Sequence, residues 1–286
     1  MQGFYYVDVD GTVYESRLRG ILKKTDRKEN CVVGDIVELC EDFSIIKIFP
    51  RKNLLLRPVV ANIDNFIIQF ACKNPVIDYE RLNILLLHSM FNKINPIIVI
   101  NKIDLVTEEE LLDIKKKLIY LEDIDVPIYY ISQEKNIGLD ALEDYLKDKI
   151  NAFGGPSGVG KSSIINMFQN ERFLKTGETS VRLKRGKHTT RDSNLMLMKN
   201  GGFIIDTPGF SSVEIPLIKD FDSLIQLFPE INKAKKNCKF TDCIHINEPQ
   251  CGVKDLLITG EFSEYRYEFY KKVYNLLKNE RWNKYD

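Results

Sequence analysis

Pro96-Ile97-Ile98-Val99-Ile100-Asn101-Lys102-Ile103-Asp104 reads as a buried strand that ends in a polar turn. Further along, Gly155-Pro156-Ser157-Gly158-Val159-Gly160-Lys161-Ser162 completes the pattern G-x-x-x-x-G-K-S. Later still, Gly202-Phe203-Ile204-Ile205 runs into Asp206-Thr207-Pro208-Gly209. Around these, Phe66-Ile67-Ile68-Gln69-Phe70 and Val126 to Ser132 read as further strands, and Ile150 to Phe153 as a short one. Residues 78–92, 108–121 and 139–150 carry helical periodicity. Apolar strands alternating with helices predict a doubly wound, largely parallel α/β sheet with the chemistry at strand ends.

The phosphate loop has a physical rationale. Its glycines let successive backbone N–H groups face phosphate oxygens, and the helix opened by Ser163 adds its positive N-terminal end. Lys161 is expected to reach the β- and γ-phosphates, and the Ser162 hydroxyl to bind Mg²⁺. Asp206 at a strand end suits the metal's outer shell, and Gly209 supplies an N–H and a joint beside the γ-phosphate. Alone, a D-x-x-G is an ordinary turn; downstream of a phosphate loop it reads as a switch. Asp104 can accept two N–H bonds from guanine N1 and N2. Adenine lacks that donor pair and leaves the carboxylate unpaired, at a cost of several kcal/mol. Asn101 and Lys102 complete this base reader. Ser132 sits where a backbone N–H can touch guanine O6, although Ser-Gln stands at 132–133 in place of the usual Ser-Ala.

The order of these pieces is unusual. Ordinary GTPases place the phosphate loop first, the D-x-x-G switch second and Asn-Lys-x-Asp last. Here the base-reading end precedes the phosphate-reading end, which is the mark of a circular permutation. Many GTPases orient the attacking water with a Gln just after the D-x-x-G glycine, but Phe210 holds that place. His188, in Arg185-Gly186-Lys187-His188-Thr189-Thr190, lies where the first switch belongs and is the candidate to replace it. It reads equally as an exposed loop histidine or an RNA contact. Thr189 or Thr190 offers the second Mg²⁺ hydroxyl.

Outside this α/β unit, residues 1–60 are β-rich. Tyr6 to Leu18 alternates around Asp10-Gly11, a two-residue hairpin turn, and Val32–Leu39 and Ser44–Ile48 are further short strands. Such spacing predicts a small OB-type barrel. Arg17, Arg19, Lys23, Lys24, Arg27 and Lys28 form a basic run, either a solvated loop or a phosphate-backbone contact. Residues 51–62 read as a linker. After about residue 216 the chain becomes helical and carries Cys238, Cys243, His245 and Cys251, three thiolates and one imidazole that suit a closed structural Zn²⁺ site. Phe262, Tyr265, Phe269, Val273 and Leu276 recur at helical spacing and predict the core stripe of a terminal helix.

The 286 residues are enough for two or three domains. With 41 basic and 41 acidic residues the formal charge is zero, which argues against wholesale coating of nucleic acid but permits local basic patches. No apolar run reaches the ~18 residues of a membrane span, and the N-terminus lacks a signal-peptide pattern. A cytoplasmic chain that does not enter membranes is expected, with its cysteines as thiols or metal ligands and the monomer as default.

Taken together, these residues resemble the RsgA family of circularly permuted GTPases. The resemblance includes Arg57-Pro58-Val59-Val60-Ala61-Asn62, the permuted motif order and Gly155 to Ser163. It continues through Gly186-Lys187-His188-Thr189-Thr190, Phe228-Pro229-Glu230, the Cys-Cys-His-Cys cluster, Arg266-Tyr267 and Tyr270. It implies an OB domain at 1–60, a permuted GTPase domain at 61–216 and a zinc-binding helical domain at 217–286. It further implies GTP/GDP, Mg²⁺ and one Zn²⁺ as cofactors. The partner implied is the small ribosomal subunit and its 16S rRNA, with hydrolysis stimulated by that subunit during late maturation and the His188 position implicated in it. Two alternatives remain open at this stage. The phosphate loop also resembles that of guanylate kinases, and an RNA-binding scaffold with a vestigial nucleotide site fits the same chain.

Overall fold

A computed structural model describes residues 4–20, 30–56, 59–170, 195–206 and 213–282. The N-terminal unit is built of short antiparallel ladders. β1 (Phe4–Val9) pairs with β2 (Thr12–Arg17) in the register Val9↔Thr12 to Phe4↔Arg17. The reversal works because Asp10 (φ 50°) and Gly11 (φ 84°) both take positive φ, the geometry that matches strand twist in a two-residue turn. β3 (Val37–Leu39) pairs with β4 (Ile45–Ile48). Bridges Leu18↔Ile45 and Val33↔Val60 join the ladders into the OB-type barrel. Of the basic run, Arg17 lies 4.4 Å over the Phe4 ring; Lys23, Lys24, Arg27 and Lys28 lie outside the described residues.

The stretch read as a linker is instead an antiparallel pair, β5 (Leu54–Leu56) with β6 (Val59–Ala61). Its Leu55 and Val60 are buried in the core of the next unit. The Asn53 amide locks the pair by bonding both the Ile63 carbonyl (2.8 Å) and the Ile63 N–H (2.9 Å). A boundary at residue 60 therefore cuts through β6.

The central sheet has the order β11-β12-β10-β7-β8-β9. β7 (Asn65–Ala71), β8 (Asn95–Asn101), β9 (Ile128–Tyr130), β10 (Ile150–Gly154) and β12 (Phe203–Asp206) run parallel. An antiparallel edge, β11 (Leu195–Leu197), was not foreseen. Four helices follow the strands: α1 (Tyr79–Phe91), α2 (Glu108–Leu118), α3 (Leu139–Leu146) and α4 (Lys161–Phe168). The period of two distributes the apolar side chains. Phe66, Ile68 and Phe70 of β7 with Ile98 and Ile100 of β8 meet Leu82, Leu85 and Leu86 of α1 on one face. Ile67, Ile97 and Val99 meet Leu139, Leu142, Ile164 and Ile165 on the other. Starts are well defined: Asp78 accepts from the Arg81 N–H (2.9 Å), and Thr107 with Glu110 forms a capping box.

The C-terminal unit contains α5 (Phe221–Gln226), α6 (Pro229–Ala234), α7 (Gly252–Thr259) and α8 (Glu264–Trp282). Its core gathers Leu224, Phe228, Ile231, Phe269, Tyr270 and Val273, and Leu87 of α1 joins it. α1 thus serves two cores. The expected stripe on the last helix is rotated: Tyr265 and Leu276 are exposed, whereas Arg266, Tyr267, Tyr270 and Leu277 are buried. Burying Arg266 is what shifts the face. Its Nε binds Glu230 at 2.6 Å, its Nη1 reaches Asn83 of α1 at 3.0 Å, and its guanidinium sits 4.1 Å over the Phe228 ring. Removing one partner of a buried ion pair strands the other charge, so Arg266→Ala is expected to cost about 3–5 kcal/mol in urea unfolding. Replacing both partners by apolar residues, Arg266→Met with Glu230→Leu, is expected to recover most of that loss. Among the described residues no helix is long and apolar enough to cross a membrane.

Candidate nucleotide site and metal centre

The strand order reverses at β10 and β7, and loops from both sides of this switch point meet there. The phosphate loop leaves β10 at Gly155, whose φ is 139°. A Cβ there would fall 2.1 Å from the Gln69 carbonyl oxygen, so only glycine lets the loop turn this close to β7. The loop ends at Gly160 (φ 96°), where α4 begins. Lys161 curls its Nζ back onto the carbonyls of Gly155 (2.7 Å) and Pro156 (2.6 Å), at the mouth of the loop it would serve. Ser162 and Ser163 stand exposed on the first turn of α4.

The polar turn after β8 packs directly on that loop. Asn101 is buried and donates from Nδ2 to the Val159 carbonyl (2.9 Å), while its Oδ1 accepts the Lys102 N–H (2.8 Å). Lys102 (φ 62°) sends Nζ to the Gly158 carbonyl at 2.7 Å and to that of Asn74. Asp104 accepts a short bond from the Ser132 hydroxyl. The Ser132 N–H instead donates to the Ile137 carbonyl (3.1 Å), so here the serine meets the site through its hydroxyl. The structure therefore brings together Asn101, Lys102, Asp104, Ser132 and the loop Gly155 to Ser162.

Two residues that the sequence reading did not assign to the site belong to this assembly. Gln133, read above as a departure from the usual pattern, accepts from Asn101 Nδ2 (3.0 Å) and donates to the Gly160 carbonyl (3.1 Å). Gln69, fully buried in β7, donates to the Val159 carbonyl (3.0 Å). A polar residue inside an otherwise apolar strand was the available signal for Gln69. Asp206 ends β12 opposite Phe153 of β10, which sets its backbone beside the phosphate loop. His188, Thr189, Thr190, Gly209 and Phe210 lie outside the described residues.

The second cluster is in the C-terminal unit. The donor atoms of Cys238, Cys243, His245 and Cys251 all lie within 4.8 Å of one another. His245 Nδ1 is 3.4 Å from Cys238 Sγ and 3.5 Å from Cys251 Sγ, and the two sulfurs are 4.0 Å apart. A tetrahedral zinc with Zn–S ~2.3 Å and Zn–N ~2.0 Å sets such edges near ~3.5–3.8 Å, so the residues fit the ion. Burial pushes the Cys243 thiol up to about 12, so a thiolate there needs a cation to offset its charge. The cradle is held from outside. The Tyr267 and Tyr270 hydroxyls donate to the carbonyls of His245 (2.7 Å) and Ile244 (2.8 Å). Glu248 accepts the N–H groups of Ile244, Ile246 and Asn247. Burial raises the Glu248 carboxyl, but these backbone donors outweigh it and hold it below the usual glutamate range.

Comparison with known proteins supplies the context. The profile of the RsgA N-terminal domain matches residues 1–43, and that of the RsgA GTPase matches residues 48–216. A Fusobacterium nucleatum protein named small ribosomal subunit biogenesis GTPase RsgA is 59% identical over 99% of both chains. The chain belongs to the RsgA family of GTPases. A Clostridium beijerinckii RsgA is 40% identical over 99% of this chain and 97% of its own. Among solved structures, YjeQ from Thermotoga maritima superposes with a TM-score of 0.79 at 32% identity, covering 96% of this chain and 94% of that one. YloQ, described as a circularly permuted GTPase, gives 0.79 at 31%, covering 98% and 93%. The guanylate-kinase-like alternative gives way to this membership.

In this RsgA-family chain the segment after Asp206 to Gly209 is tied to α1. Arg81 Nη1 donates to the Val213 carbonyl at 2.5 Å, and His88 Nε2 makes a short contact with the Glu214 carbonyl. Burial lowers the His88 pKa; the Glu214 carbonyl offsets part of this, and Arg81 adds a smaller lowering. The folded chain therefore binds fewer protons here than the unfolded chain does. Stability from this site is full above the ordinary histidine value of about 6.5 and is lost as pH falls from there toward the lowered folded value. The melting temperature is expected to drop between about pH 6.5 and 5.5 less steeply in His88→Gln than in the unaltered chain. Equal slopes would show that His88 contributes nothing to this dependence.

Proposed function

We propose that this chain hydrolyses GTP to GDP and phosphate and assists late maturation of the small ribosomal subunit, binding its 16S rRNA. The observation that carries the reading is the contact between Asn101 and Val159. It locks a guanine-type reader onto a phosphate loop, in a permuted order, within a chain that matches small-subunit biogenesis relatives over nearly its whole length. In this reading Asp104 holds guanine N1 and N2, with Asn101, Lys102 and Ser132 shaping its pocket. Gly155, Pro156, Ser157, Gly158, Val159, Gly160 and Lys161 embrace the phosphates, Ser163 continues the helix behind them, Asp206 serves the outer shell of the Mg²⁺ site and Gly209 offers its N–H to the γ-phosphate. Ser162 on its exposed turn and Thr190, or Thr189 beside it, would hold Mg²⁺, which supplies charge neutralisation at the phosphate oxygens. His188 takes the water-orienting role that Phe210 cannot perform.

We assign an RNA-binding OB domain ahead of the β5–β6 pair, a permuted GTPase domain from that pair to about residue 216 and a helical domain beyond it. Cys238, Cys243, His245 and Cys251 hold one structural Zn²⁺ in that last domain. A monomeric cytoplasmic protein fits this work. The tie from Val213 and Glu214 to α1 gives a route by which changes near Asp206 reach the C-terminal unit. The test is GTP hydrolysis with and without purified small subunits, with ATP and large subunits as controls. Stimulation by small subunits alone, for GTP alone, is the expected result. A rate indifferent to small subunits would refute the assignment of partner.

A further inference from the structure

The carbonyls of the phosphate loop are held from three directions, and one holder, Gln133, comes from the loop after β9. Val159 O accepts from Asn101 (2.9 Å) and Gln69 (3.0 Å). Gly160 O accepts from Gln133 Nε2 (3.1 Å), a bond it shares with the first helical bond of α4 from Ile164 N (3.2 Å). In a trans peptide the C=O and the next N–H point in opposite directions. Pinning Val159 O therefore aims the Gly160 N–H, and pinning Gly160 O aims the Lys161 N–H. Both are turned away from β7 and the base-reading loop, toward the side where an anion is received.

Gln133 also closes a triangle. Its Oε1 accepts the second hydrogen of the Asn101 amide (3.0 Å), so one side chain spans the base reader and the phosphate loop. The space is matched to it: a Cβ on Gly160 would stand 2.6 Å from both Asn101 Nδ2 and Gln133 Oε1. Gln69 braces the same loop from beneath, and its Oε1 finds no partner among the described residues. A buried amide left half-satisfied in a strand costs stability, which points to a service beyond folding.

We infer that Gln133 is a positioning residue that couples the guanine-reading loop to the phosphate loop, with Gln69 as its counter-brace. The inference rests on the guanine-nucleotide reading of this site. Guanine seated against residues 132–133 orders the Gln133 side chain, and the ordered side chain presents the Lys161 N–H to the β-phosphate. Base identity thereby influences phosphate affinity, although Gln133 touches no phosphate.

The test is a titration of the full chain with fluorescent GDP, together with ³¹P spectra of bound GDP. Gln133→Met keeps the length and apolar contacts of the side chain but removes both hydrogen bonds. It is expected to weaken GDP about tenfold and to move the β-phosphate resonance while leaving the α-phosphate resonance in place. Gln133→Glu keeps the acceptor for Asn101 but sets a carboxylate against the Gly160 carbonyl, and is expected to bind more weakly than Gln133→Met. Gln69→Met is expected to melt no lower than the unaltered chain yet bind GDP less tightly, a split that a purely structural residue does not give. Unaltered GDP affinity in Gln133→Met overturns the inference. So does weakened binding with an unmoved β-phosphate resonance, which would confine Gln133 to the base. Failure of the unaltered chain to bind GDP would overturn the site reading itself.

Discussion

Replacing Cys251 with serine is expected to open the C-terminal unit while the nucleotide unit stays folded. A serine hydroxyl does not ionise as a thiol does, so one of four ligands is lost. Structural zinc contributes on the order of 10 kcal/mol of apparent binding energy in small domains, and that energy is folding energy. Cys251 N-caps α7, and its sulfur lies beside those of Cys238 and the ring of His245. Freeing residues 238–251 also deprives the Tyr267 and Tyr270 hydroxyls of their carbonyl partners. The aromatic contacts of Phe228 with Tyr270 (5.2 Å) and Phe269 (6.2 Å) remain, so the loss is a loosening by several kcal/mol and not a collapse. Zinc content by mass spectrometry should fall well below one per chain, hydrogen exchange should rise across 238–282, and GDP binding should persist. Full zinc occupancy with unchanged exchange would show that Cys251 is not a ligand.

The second large effect is at Asp104. An asparagine there keeps one acceptor but turns the other arm into a donor that faces the guanine N2 donor. Two charge-assisted bonds of about 1.5–3 kcal/mol each are at stake, so GDP affinity is expected to fall by about 10²–10⁴-fold. Xanthosine diphosphate carries an acceptor at C2 in place of the amino group. It is expected to bind Asp104→Asn better than GDP does, because donor and acceptor are then matched again. The Ser132 hydroxyl can still donate to the remaining amide oxygen, so the loop around Asp104 keeps its hold. If Asp104→Asn bound GDP normally, the base would have to be read elsewhere.

The loop at 155–162, the turn at 101–104 that packs on it and the Cys/His cluster were legible as motifs because each is a short run whose proposed chemistry needs fixed residue types at fixed spacing. The strands β7 and β8 were legible because both of their faces are buried and the apolar run is continuous. β5 and β6 were missed because strands of three residues leave too little alternation to recognise, and what defines them is pairing and the Asn53 lock. The stripe on α8 was misplaced because a buried arginine breaks the apolar pattern. Only the position of Glu230 and Asn83 in space reveals why Arg266 can be inside. Gln133 was misjudged for a related reason. Its departure from the expected residue is visible in the sequence, but its partner, the Gly160 carbonyl, is brought to it only by the sheet.

The sheet order carries a consequence for the nascent chain. β7, β8 and β9 are synthesised together, and every residue proposed to read the base, from Asn101 to Ser132, has been added before the first glycine of the phosphate loop. Until β10 arrives, the hydrogen-bonding edge of β7 that it will occupy has no strand beside it, and the apolar flank of Phe153 is still to come. At synthesis rates of about 5–20 residues per second, that open edge persists for seconds. Permutation therefore exchanges which half of the pocket is built first: the waiting edge at the central seam belongs to β7, beneath the base-reading half, and not to β10, beneath the phosphate loop.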